Sequence, residues 1–104
     1  MYDFYGELLT EHQKKIYEDV VYHDLSLTEI AQANGISRQG VYDMVRRCSH
    51  ILEEYEDRLH LVARFMKIKE NVGALLELTD NPELERDELI RKVRLISRQI
   101  LEEL

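Results

Sequence analysis

Ser37, Arg38, Gln39, Tyr42, Asp43, Arg46 and Arg47 crowd into one short stretch that contains no proline. On a helix, positions 38, 39, 42, 43 and 46 share a face. Arginine can hydrogen-bond the acceptor pair on the major-groove edge of guanine, and glutamine can grip adenine in the same way. Arg38 and Gln39 have those side chains. Arg46 and Arg47, further along, could hold phosphates. Ser37, Tyr42 and Asp43 complete a polar surface suited to reading nucleic acid rather than to making or breaking bonds.

Other chemistries have little to work with. The four histidines, His12, His23, His50 and His60, fall into no recognised zinc spacing. Glu56 and His60 stand one helical turn apart and could share a metal, but an i,i+4 surface pair accounts for them equally. Cys48, the single cysteine, can form no intrachain disulfide and lies on an apolar stripe, where a thiol acts as a small hydrophobe. There is no glycine-rich phosphate loop and no nucleophile beside an evident base. The reading is therefore no enzyme, no cofactor, no metal and no small-molecule substrate.

A helix must carry the candidate residues, and the composition favours helices. In 104 residues there are one proline and four glycines, and 44% of the chain is hydrophobic, enough for one modest core. No apolar run approaches the roughly 20 residues that cross a bilayer, so membrane insertion is not expected. No signal peptide is evident, and a reducing cytoplasm is the expected setting. The formal net charge is −7. Duplex-binding domains usually present a net basic surface, because phosphate neutralisation supplies much of their affinity. Any nucleic-acid contact here must come from a local patch.

Along the chain, Phe4, Tyr5, Leu8 and Leu9 predict a short first helix. Thr10 can cap a second, with Ile16, Val20 and Val21 as its stripe, ending near residues 22–24. Ser26 and Glu29 have the spacing of a capping box at the start of a third. Asn34-Gly35 should stop that helix, Ile36 should plug the corner, and Ser37 should cap the next. Residues 26–47 thus read as helix, tight turn, helix, with Ala31 as the small contact residue and Val41 buried early in the second helix.

From Ser37 to about Thr79 no proline intervenes, and Val41, Val45, Cys48, Leu52, Tyr55, Leu59, Val62 and Met66 follow heptad spacing. The stripe then shifts phase to Ile68, Val72, Leu75 and Leu76, which predicts one long helix or two abutting ones, bent or interrupted near residues 66–73. An unbroken helix near 40 residues would span about 60 Å, far beyond a globule whose radius of gyration is about 13 Å. The stripe is therefore a candidate homodimer seam, with packing inside the same chain as the alternative. Asn81-Pro82 should start the last helix, with Leu89, Val93, Ile96 and Ile100 facing inward. Arg91, Arg94 and Arg98 form a possible second basic stripe, or a solvated face paired with Asp87, Glu88 and Glu102.

Two resemblances attach to these residues. Thr10 to Gln13, Leu25 to Ala31 and Gly35 to Val41 look like the promoter-reading region 4 of bacterial sigma factors. Asp3-Phe4-Tyr5, Leu8-Leu9-Thr10, Asp24-Leu25-Ser26-Leu27, Glu29-Ile30-Ala31, Ile36-Ser37-Arg38-Gln39 and Val41-Tyr42-Asp43 resemble the YlxM family of small bacterial proteins. So do Leu52-Glu53, Tyr55-Glu56 and Leu59-His60-Leu61. The resemblance implies a cytoplasmic helix-turn-helix regulatory protein of the signal recognition particle (SRP) protein-targeting pathway, with DNA, SRP RNA or the SRP GTPase as partner. A transcription regulator reading DNA with Ser37 to Arg47 is the alternative, and an interaction module whose helix-turn-helix never touches nucleic acid is a third. The expected architecture is all-α: one domain over 1–104, with a sigma-region-4-like helix-turn-helix core at 10–49, then a long-helix extension and C-terminal helix over 50–104.

Overall fold

A computed structural model describes all residues, 1–104. It contains α1 (Tyr2–Tyr5), a 3-10 turn (Gly6–Leu8), α2 (Glu11–Val21), α3 (Leu27–Asn34), α4 (Arg38–Leu59), α5 (Leu61–Thr79) and α6 (Arg86–Glu103), with no strand. The fold is all-α, as the spacing predicts.

Local chemistry sets most helix ends. The Thr10 hydroxyl accepts from the Gln13 amide at 3.2 Å while the Gln13 side chain accepts from the Thr10 amide at 2.9 Å. The reciprocal capping box therefore starts α2. At Ser26, where the sequence suggests such a box, the bond from the Glu29 amide to the hydroxyl (3.1 Å) caps α3. Gly35 ends α3 at φ 65° and ψ 30°. The Ile36 amide then reaches back to the Ala31 carbonyl at 3.1 Å, closing a Schellman turn.

The chain divides into two compact units, Met1–Leu59 and His60–Leu104. The first unit carries α4 to its end. In that unit Ile16, Ile30, Ala31 and Val41 form the core, flanked by Val20, Leu27, Ile36, Met44 and Val45. Tyr5, Leu9, Cys48 and Leu52 are also buried. Tyr5 reaches α4 twice: its hydroxyl donates to Glu56 at 2.7 Å and its ring stacks near Tyr55, centroids 6.0 Å apart. Tyr2 stacks on Tyr17 at 4.9 Å and donates its hydroxyl to Glu18. Burial, then that hydrogen bond, raises the Tyr2 hydroxyl above its ordinary value, so it stays a donor.

Three expectations need correction. The break in the long helix falls at His60, not at 66–73. His60 takes the left-handed conformation at φ 56°, which histidine adopts more readily than most residues. The heptad stripe is not a seam between copies over its first half, because Val41, Cys48 and Leu52 are at most 1% exposed inside the first unit. Asn81-Pro82 begins a turn rather than a helix. The Asn81 side chain accepts from the Glu83 amide at 3.1 Å, and α6 starts only at Arg86 behind Glu85.

Gly35→Val should lower unfolding stability by about 1–2 kcal/mol. No atom lies within 4 Å of an added Cβ, so the loss reports the left-handed backbone alone. A thermal melt equal to the parent's would refute the turn. Leu52→Lys should cost at least about 3 kcal/mol by placing a charge in the core, seen as loss of cooperative unfolding by circular dichroism.

Candidate nucleic-acid interface

The first unit holds α4 by one side. Val41, Cys48 and Leu52 point into the core, with Met44 and Val45 beside them. The opposite side is left to solvent. Ser37, Arg38, Gln39, Tyr42, Arg46 and Arg47 are all exposed, so every residue singled out on this helix is accessible. The Ser37 hydroxyl accepts from the Gly40 amide at 2.9 Å and caps the helix start. The expected capping role is therefore the one it performs.

Arg38 and Arg46 lie about 12 Å apart along the axis. With Tyr42 between them, they line one face. Arg38, Gln39 and Tyr42, with Leu27 of α3, border an open cleft of about 430 Å³. Arg46 and Arg47, with Asp43, Ser49, His50 and Glu53, border another of about 550 Å³. Sequence reasoning did not single out Ser49 and His50, although His50 sits one turn beyond Arg46 and could have been found by that spacing. Gln39 is less available than its position suggests, since its amide donates to Asp43 at 3.0 Å. It must leave that bond to read a base.

Charge is divided along α4. Residues 37–50 carry Arg38, Arg46 and Arg47 against Asp43, a net of +2. Residues 51–59 carry Glu53, Glu54, Glu56 and Asp57 against Arg58, a net of −3. None of the three leading arginines forms an ion pair; beside Arg46 and Arg47, His50 lies 3.3 Å from Glu54. Behind this face Cys48 is fully buried, and burial pushes its thiol up, so it packs as a hydrophobe.

The remaining candidates separate. Arg91, Arg94 and Arg98 lie on α6 in the other compact unit, exposed and outside any ion pair. None of the pairs expected of these arginines forms; Glu88 pairs instead with Lys92 at 3.2 Å. Glu56 accepts from Tyr5, and His60 has left the helical conformation, so their i,i+4 relation is lost. No three histidine, cysteine or acidic side chains gather as metal ligands. No helix is long and apolar enough to cross a membrane.

Comparison with known proteins gives the same motif. A family model described as "UPF0122: Putative helix-turn-helix protein, YlxM / p13 like" matches residues 1–96. A UPF0122 protein of Clostridium kluyveri is 43% identical over 79 residues, covering 76% of this chain and 71% of the relative. One from a Thermoanaerobacter species is 40% identical over 102 residues, 89% of this chain and 87% of the relative. One from Staphylococcus epidermidis is 42% identical over 84 residues, 81% and 76% respectively.

Ser37→Ala should lower stability by about 1 kcal/mol through loss of the α4 cap, a shift of several degrees in the melting temperature of a chain this size. An unchanged melt would mean the cap contributes nothing.

Proposed function

The chain belongs to the YlxM/p13-like UPF0122 family of helix-turn-helix proteins, and from that premise we propose that it is a cytoplasmic regulatory protein of the SRP protein-targeting pathway that contacts nucleic acid through the first half of α4. The pathway comes from the resemblance to the YlxM family. The nucleic-acid contact rests on one observation: Arg38, Arg46 and Arg47 stand exposed and outside any ion pair, at a local charge of +2 in a chain of −7. Unpaired arginines need no rearrangement to meet phosphates. The acidic second half of the helix would repel the backbone and restrict contact to the helix start. SRP RNA is the nucleic acid of this reading, and the SRP GTPase is its protein partner.

A specific observation also favours DNA as ligand. Arg38 and Gln39 sit in the first turn of the second helix, the part that meets base edges when such a motif enters the major groove. A transcription regulator reading duplex DNA is therefore the second reading.

The test is a fluorescence titration with labelled SRP RNA and with random duplex DNA at low and moderate salt, using the parent, Arg38→Ala and Arg46→Ala. Each substitution should weaken binding across sequences and reduce the salt slope by about 1 if its arginine contacts a phosphate. Preference for the RNA that persists at moderate salt supports the pathway reading. Preference for duplex supports the second. Binding to neither overturns both nucleic-acid readings and leaves the GTPase as partner.

A further inference from the structure

We propose that the α5–α6 hairpin is a self-association surface: its apolar side meets the same side of a second copy to form a four-helix bundle. Neither α5 nor α6 contains a single buried residue. Ile68, Leu75 and Leu78 of α5 are only half-buried, as are Leu89, Val93, Ile96 and Ile100 of α6. Two helices alone cannot enclose a core, and a second pair is the usual solution.

The hairpin has two unlike sides. Lys67 and Glu103 pair at 3.1 Å, which makes the helices antiparallel and sets their register. About a quarter-turn from the line where they touch, α5 carries Val72 and Leu76. The same quarter-turn on α6 carries Ile90 and Leu101, with Leu104 just beyond. Antiparallel helices wind in opposite senses seen from one end, so equal rotations bring both rows to the same side. The other side holds the ion pairs Lys67–Glu103 and Lys92–Glu88, with Leu95 as its one large exposed apolar residue.

The area of this side selects a second copy as occupant. Val72, Leu76, Ile90, Leu101 and Leu104 are 42%, 63%, 44%, 69% and 85% exposed. Together they present on the order of 600 Å² of surface, most of the roughly 800 Å² per partner that a standard interface covers. A two-fold axis across the hairpin lays the apolar side of each copy on that of the other. This surface is independent of the nucleic-acid reading of α4, and each can fail without the other.

Sedimentation equilibrium of the full chain tests it, with circular dichroism as the control for folding. The parent should sediment as a dimer. Leu101→Asp and, separately, Leu76→Asp should each raise the dimer dissociation constant about tenfold or more while keeping helical content. Gln99→Asp, on the polar side, should leave it unchanged. A monomeric parent at high micromolar concentration overturns the proposal. So does a dimer that survives both leucine substitutions, or one that Gln99→Asp disrupts as strongly.

Discussion

A helix of 22 residues cannot bury its whole circumference against three short neighbours, and α4 depends on that limit. Val41, Cys48 and Leu52 take the side that α1, α2 and α3 can cover. The polar residues of its first turns are therefore displaced to the other side, where Arg38, Tyr42 and Arg46 stand in one row. The same burial fixes the helix along its length: Tyr5, held to Glu56 and Tyr55, reaches well beyond the helix-turn-helix itself. The backbone that carries the candidate interface is packed from behind.

The charge pattern follows the division of labour along that helix. A chain with a net charge of −7 is a poor general ligand for phosphate, and non-specific attachment to nucleic acid is correspondingly disfavoured. Placing the positive residues in the first half and the acidic ones in the second concentrates the attraction where a helix-turn-helix meets a groove. Asp43, bonded to Gln39, tempers it further.

Beyond Leu59 the physics changes. His60 interrupts the helix by its own backbone conformation, with no glycine or proline to announce it. The two helices that follow have apolar residues on more sides than their mutual contact can use. Their composition is that of a bundle, while their number is half of one. That mismatch, rather than any single residue, underlies the proposed association.

Features governed by neighbouring residues were legible in the sequence. The cap at Thr10, the Asn34-Gly35 stop, the Ile36 plug and the Ser37 cap all depend on contacts within a few positions, so residue type and spacing suffice to place them. The exposed row on α4 was legible for the same reason, since helical periodicity alone separates it from Val41 and Cys48. What periodicity cannot say is what covers an apolar stripe. A heptad row looks the same whether its partner is another copy or the rest of the same chain, and only the packing of Tyr5, Leu9 and the core side chains against α4 decided that Leu52 is interior. The break at His60 and the delayed start of α6 behind Asn81-Pro82 escaped for a related reason. Each is one of several backbone conformations open to its residues, and the tertiary structure determined which one the chain took.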